Sequence, residues 1–220
     1  MIKGLDRKLI LIVFVVFMIT TSGCEAEEFS EHELEDVYDD TYDEQDDADE
    51  RTEDLGKVTQ NVTLRTTHGD IFIGLFGEDA PLTVENFLRY VEEGFYDSTV
   101  FHRVVDGFMI QGGGFTADGN MKDTHASIEN EADNGRRNLK GKLAMARTAD
   151  PDSATSQFFI NLENNPGLDH SSTDPGYAVF AKVLDGTDTV ESIGSENTGL
   201  RYGMADWPDD DIVIEETIVH

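Results

Sequence analysis

From Val58 to Thr66, and again from Asp70 to Phe76, apolar and polar residues alternate with the period of a half-buried β-strand. His68-Gly69 between them is a turn signal, so the two runs predict a hairpin. Ala80-Pro81-Leu82-Thr83 then opens a helix, with Thr83 as the expected N-cap, Val84, Phe87, Leu88 and Val91 on one face, and Gly94 as the stop. A second, shorter helix is expected from Thr187 to Ile193, with Val190 and Ile193 turned inward. Further strands are predicted at Thr99 to Val105, Phe108 to Gln111, Lys142 to Ala146, Gln157 to Leu162, Ala178 to Val183 and Ile212 to Val219. Many strands with only two helices predict a mostly-β domain over residues 57–220, its sheet closed into a capped barrel, since closure removes exposed edges.

The first fifty-odd residues follow other patterns. Lys3, Arg7 and Lys8 precede an unbroken apolar run from Leu9 to Ile19, and Thr21-Ser22-Gly23-Cys24 follows at once. The run is shorter than the roughly 20 residues a membrane span needs, but it suits the apolar region of a secretory signal, expected over residues 1–23. Cys24, the single cysteine, sits where bacterial lipoproteins carry their lipid, although Thr21 departs from the aliphatic residue preferred there; lipidation, an uncleaved anchor and ordinary secretion all stand as readings. Lacking a second cysteine, the chain has no intrachain disulfide. From Glu25 to Asp54 nearly every polar residue is acidic, with Arg51 the only strong base. Such a segment buries too little apolar area to offset the entropy of ordering, so residues 24–56 read as a disordered tether with a span of about 30 Å or more.

Composition narrows the partners. The chain of 220 residues is 38% hydrophobic, enough for one core but not for a transmembrane bundle. Its formal charge of -30 argues against nucleic acid or an anionic membrane surface as a binding partner.

The candidate chemistry centres on FHRVVDGFMIQGGGF, Phe101 to Phe115. Period two puts Phe101, Arg103 and Val105 on one strand face and His102 and Val104 on the other. An arginine inside an apolar strand either snorkels to water or is held for use. The familiar alternatives fail on spacing. The six histidines form no HExxH or His-x-His pair and the domain has no cysteine, so no zinc site is expected. Gly112 to Gly114 opens no helix and does not follow the dinucleotide-binding pattern, and no serine lies in a nucleophile elbow. What remains is a reaction that needs neither nucleophile, metal nor cofactor.

FHRV, GFMIQGGGF, the NEADNG run from Asn130 to Gly135, LAMART from Leu143 and SATSQFFIN from Ser153 stand in the order and spacing of the cyclophilin family of peptidyl-prolyl cis-trans isomerases, in its bacterial and archaeal form. The chain resembles that family over roughly residues 57–220. The resemblance implies a closed eight-stranded antiparallel β-barrel capped by two α-helices, and rotation about X-Pro bonds as the activity. It implies that Arg103 is catalytic and that Gln111 orients it and binds the substrate backbone. It further implies that Phe108, Met109, Phe159 and Leu168 receive the proline ring, and that Ala146, Arg147 and Gln157 line the adjoining groove, with Arg147 where many relatives have asparagine. His102 precedes the arginine as a substrate contact or a structural strand residue, and Tyr177 stands where many relatives have histidine. Phe101 and Phe158 are expected in the core. Gly167 replaces the aromatic residue that many relatives carry before the Leu168-Asp169 pair, which implies weak affinity for cyclosporin. The expected protein is a monomeric, extracytoplasmic, lipid-anchored or secreted isomerase of proline-containing polypeptides; a non-catalytic proline-peptide-binding module or holdase on the same groove is the alternative.

Overall fold

The computed structural model describes residues 56–220. The expected signal peptide, Cys24 and all but the end of the acidic tether lie outside the described residues.

β1 (Gln60–Thr66) and β2 (Gly69–Leu75) form the expected hairpin, in antiparallel register with Val62 opposite Ile73 and Leu64 opposite Ile71. Alternation decides which side chains enter the core: Val62, Leu64, Ile71, Ile73 and Leu75 are fully buried. The Thr66 hydroxyl closes the turn by donating to the Gly69 carbonyl and accepting from the His68 N–H.

α1 (Pro81–Glu92) buries Val84, Phe87, Tyr90 and Val91 along one stripe. Its start differs from the expectation. Thr83 lies inside the helix; the N-cap is Ala80, which has no side chain to offer the free N–H groups of the first turn. Pro81 is pre-set for the first helical position and starts the helix earlier. The unpaired donors go instead to Glu131 from a distant loop, which accepts from the N–H groups of Leu82 at 3.0 Å and Thr83 at 2.8 Å and from the Thr83 hydroxyl. A carboxylate at this end also suits the helix dipole. Gly94, at φ +63°, ends the element as expected.

The remaining elements are β3 (Thr99–Val100), β4 (Arg103–Val105), β5 (Met109–Gly112), β6 (Phe115–Thr116), β7 (Lys142–Met145), β8 (Phe158–Asn161), β9 (Val179–Asp185), α2 (Thr187–Gly194), β10 (Thr198–Arg201), β11 (Met204–Pro208) and β12 (Val213–Val219). Ten strands form one curled sheet in the order β4-β5-β8-β7-β9-β2-β1-β12-β3-β6, with β10 and β11 paired separately. This corrects the eight-stranded closed barrel: the ladder order has ten members and ends at β4 and β6 without a ladder joining those two. The difference arises in one hairpin. Thr99 to Val105 was expected as a single strand, yet pairing runs Val100 to Phe115 and resumes only at Arg103 to Gln111, so the hairpin breaks at Phe101-His102 opposite Gly112-Gly113-Gly114. The glycines explain the break. Gly113 sits at φ +80°, and a Cβ there would lie 2.8 Å from the Tyr96 ring and 3.0 Å from that of Phe158. β3 then pairs with β12, and β5 with β8.

Inside the sheet, Phe87, Tyr96, Phe101, Phe158 and Phe180 form an aromatic core, with Phe87 and Tyr96 edge-on to Phe158 at centroid distances of 5.7 and 5.5 Å. Each such burial contributes about 1.5–3 kcal/mol. The Tyr96 hydroxyl donates to the Ser156 carbonyl, so its polar end is not stranded. Val190 and Ile193 of α2 are buried, as expected.

Candidate active site

A second apolar cluster lies outside the main core. Met109, Phe159, Ala144, Val179 and Phe76 are its buried centre, and Val105, Phe108, Ala146, Leu168 and Tyr177 pack around them partly exposed. Adjacent strands bring these residues together: Met109 and Phe159 belong to the paired β5 and β8, and Ala144 faces Phe159 from β7. All four residues expected to receive a proline ring, Phe108, Met109, Phe159 and Leu168, are therefore in one cluster, with Ala146 and Tyr177 beside them. Tyr177 meets Phe159 edge-on at 5.6 Å.

Arg103 and Gln111 stand opposite each other in the β4–β5 ladder, two pairs from the Val105–Met109 edge of this cluster. The break at Phe101-His102 changes the alternation around the arginine. Phe101 is fully buried with Val104 in the main core, so it does not share the face of Arg103 and Val105 as the regular period predicts. The Arg103 side chain is 42% exposed, and its Nε lies 3.4 Å from Oδ2 of Asp206. Among the described residues its two terminal nitrogens have no partner. Gln111 makes no hydrogen bond to it; its Nε2 donates to Oε1 of Gln157 at 2.9 Å. Gly114 leaves room for that pairing, since a Cβ there would lie 2.6 Å from the Gln157 side chain.

Two expected groove residues are placed differently. His102 is buried, its ring 4.6 Å from that of Phe115 and 6.0 Å from that of Trp207, away from the apolar cluster. Burial pushes its pKa down to about 4, against the opposing effect of a hydrogen bond to the Val100 backbone. The ring is neutral at physiological pH. Arg147, whose side chain is only 8% exposed, turns toward the loop before β9: Nε donates to the Gly176 carbonyl at 2.9 Å, Nη1 to that of Thr148 at 2.9 Å, and Nη2 approaches Asp174 at 3.6 Å. Its guanidinium stacks 4.4 Å over the Tyr177 ring, so it reaches the cluster through that tyrosine.

The irregular loop carrying Leu168 and Tyr177 is fixed by amides. Asn138 Nδ2 donates to the Leu168 carbonyl, Asn165 Nδ2 to that of Phe108, Asn130 Nδ2 to that of Pro175, and Asn134 Nδ2 to that of Val179. Within the NEADNG run, Asn130 thus holds the loop at Pro175 and Asn134 holds the start of β9. Gly167 lies in a single 3-10 turn, Pro166–Leu168, and a Cβ there would meet nothing within 4 Å, so the position is open. Sequence reasoning missed Asp206 and Trp207; the Tyr202-Gly203 turn signal between Leu200 and Trp207 was the available clue to their hairpin.

An apolar cluster two ladder pairs from a guanidinium whose terminal nitrogens have no partner among the described residues, with a paired amide opposite it, presents neither nucleophile nor metal ligands. It can seat a ring, exclude water and place a positive hydrogen-bond donor at its edge. The family profile described as "Cyclophilin type peptidyl-prolyl cis-trans isomerase/CLD" matches residues 61–219. The chain belongs to the cyclophilin family. It is 54% identical over 157 residues to the peptidyl-prolyl cis-trans isomerase cyp18 of Streptomyces antibioticus, an alignment covering 70% of this chain and 95% of that one. To peptidyl-prolyl cis-trans isomerase B of Escherichia coli it is 52% identical over 162 residues, covering 72% of this cyclophilin and 98% of the relative. The crystal structure of a cyclophilin type isomerase from Cryptosporidium parvum, determined in the presence of the dipeptide Ala-Pro, matches with a TM-score of 0.60 at 28% identity, covering 73% of this chain and 99% of the other.

Proposed function

We propose that this cyclophilin accelerates cis–trans rotation about X-Pro bonds, with Arg103 as its catalytic residue. The X-Pro bond turns slowly because amide resonance gives it double-bond character and a barrier of roughly 18–20 kcal/mol. As the bond twists, the prolyl nitrogen becomes pyramidal and its lone pair localises. A donor aimed at that lone pair stabilises the twisted form more than the planar one, and only such a difference raises the rate. Arginine suits the task because its fork is planar and charged at every working pH. The observation that carries the reading is that, among the described residues, the Arg103 terminal nitrogens have no partner while Arg103 shares the β4–β5 ladder with Met109 of the apolar cluster. Phe108, Met109, Phe159 and Leu168 seat the ring, Ala146, Tyr177 and Gln157 border the neighbouring groove, and Gln111 meets the substrate backbone.

The deciding experiment is exchange spectroscopy on a short X-Pro peptide with the described domain and its Arg103→Ala variant. Losing one preorganised donor should cost roughly 3 kcal/mol, on the order of a hundredfold in rate, while peptide binding persists. A folded Arg103→Ala protein that isomerises normally refutes the assignment. Proline-containing polypeptides are the substrates, and the domain acts as a monomer. The sequence before residue 57 supports placing it outside the cytoplasm, lipid-anchored through Cys24 or secreted.

A further inference from the structure

We infer that Asp206 is a positioning residue for Arg103, set in place by a strained bulge in the β10–β11 hairpin. The inference rests on reading Arg103 as catalytic. Three separate observations point to it. Asp206 is the side-chain partner of the guanidinium, and it takes Nε alone, which leaves both terminal nitrogens aimed elsewhere. A carboxylate that gripped the fork from its end would have blocked the donors that the reaction needs.

The backbone of Asp206 is unusual as well. It sits at φ +60°, a left-handed conformation that non-glycine residues rarely adopt and that costs on the order of what a weak hydrogen bond returns. The hairpin register shows why. Arg201 pairs with Met204 and Gly199 with Trp207, so Leu200 on β10 stands opposite two residues, Ala205 and Asp206, on β11. Such a bulge re-aims a side chain next to a site. Without the extra residue, the alternation of β11 would not present Asp206 as it does.

The third observation is the anchor on the next residue. Trp207 is fully buried, with its ring against Phe115, Tyr202 and His102. Consecutive residues on two segments are thus matched: His102 with Trp207 in the interior, Arg103 with Asp206 at the surface. The buried pair fixes the separation of the exposed one. This matters because Arg103 and Asp206 are each 42% exposed, and an ion pair of that kind holds little geometry without a rigid frame.

Asp206→Asn should lower kcat/KM two- to fivefold, the range open to an exposed ion pair, with the loss in kcat and unchanged affinity for an X-Pro peptide. Asp206→Gly suits the left-handed backbone, so it should keep the melting temperature and show the same kinetic loss. Raising the salt to about 1 M, where the screening length is about 3 Å, should reproduce the loss in the unmodified protein and leave Asp206→Asn unaffected. In an Arg103→Ala background Asp206→Asn should change the residual rate no further. The Arg103 Nε–H resonance should shift in Asp206→Asn, a signature that a merely structural hairpin residue would not produce. If Arg103→Ala turns over normally, the reading of Arg103 itself fails. If Arg103→Ala is inactive while Asp206→Asn and Asp206→Gly turn over at the normal rate or faster, the positioning role alone is overturned.

Discussion

Gln111 faces Arg103 across the β4–β5 ladder yet gives its amide N–H to Gln157, at 2.9 Å. The resemblance implied that Gln111 orients the guanidinium; in the structure that contact belongs to Asp206. With its nitrogen engaged, Gln111 keeps its oxygen without a partner among the described residues, and this oxygen is the acceptor free to meet a substrate N–H.

Gln111→Leu should therefore weaken peptide binding as well as turnover. Removing one acceptor that a bound peptide would use costs about 1–1.5 kcal/mol, near tenfold in kcat/KM. Gln157→Leu should show a smaller effect in the same direction, because it only orients the Gln111 amide. Peptide titrations of both variants, followed by chemical-shift changes, would check the order; a larger loss for Gln157→Leu would reverse the roles.

Arg103→Lys should recover little of the rate lost in Arg103→Ala. An ammonium on a flexible stem lacks the Nε–H that Asp206 accepts, so the carboxylate would draw the charged end itself toward the hairpin. Near-normal turnover in the lysine variant would show that charge alone, without the fork, suffices.

Gly167→Trp should fold normally and tighten cyclosporin by about 1–3 kcal/mol, since the indole adds an apolar wall and an N–H donor. A Cβ at Gly167 meets nothing within 4 Å, so the side chain can leave the backbone without a clash. Calorimetric titration of the two proteins tests it. Tight binding by the unmodified protein would mean that the recess closes without an aromatic residue at this place.

The β1–β2 hairpin was legible because alternate residues of β1 are buried. Val62 and Leu64 against Ile71 and Ile73 read as a hairpin directly from period two, and the stripe of α1 read from its spacing. The seating of Met109, Phe159 and Leu168 in one cluster was legible only through the family resemblance, since nothing local says that β5, β8 and a distant loop converge. Asp206 was marked only by the Tyr202-Gly203 turn signal before it. Its hairpin is short, glycine-containing and mostly exposed on β10, so no hydrophobic period marks it, and its contact with Arg103 spans 103 positions of sequence. Arg147 was read as a groove residue from its place in LAMART, whereas the carbonyls of Thr148 and Gly176 draw it to the loop. The Ala80 cap was hidden for a similar reason, because the group that replaces a capping side chain comes from Glu131, far along the chain.

At the other end of the protein, Cys24→Ala should move the protein from the membrane fraction to the soluble fraction if the cysteine carries a lipid. Partitioning that does not change would leave secretion without an anchor as the reading of the N-terminal sequence. Deleting residues 25–54 should leave isomerase activity intact, because the side chains proposed for the site, from His102 to Tyr177, all follow that segment in the sequence.

His102 makes the stability of the domain depend on pH in a definite direction. Its folded pKa of about 4 lies below the ordinary value of 6.5, because burial disfavours the charged ring. The unfolded chain therefore binds a proton that the folded one refuses between those two values. Stability from this residue is complete above pH 6.5 and falls as pH drops toward 4, by roughly 3 kcal/mol in all. The Nδ1 atom is buried without a hydrogen-bond partner, so an apolar residue of similar size gives up little there. His102→Leu should accordingly flatten the loss of stability between pH 6.5 and 4, measured from urea unfolding midpoints, while lying within about 1 kcal/mol of the unmodified protein at pH 7.5. Isomerase activity at neutral pH should fall by no more than the few-fold loss ascribed to the Arg103–Asp206 pair, since the ring packs on Trp207 and Phe115 rather than in the apolar cluster. An unaltered acid slope would assign it to carboxylates instead, and a large activity loss in a folded variant would return His102 to the substrate groove.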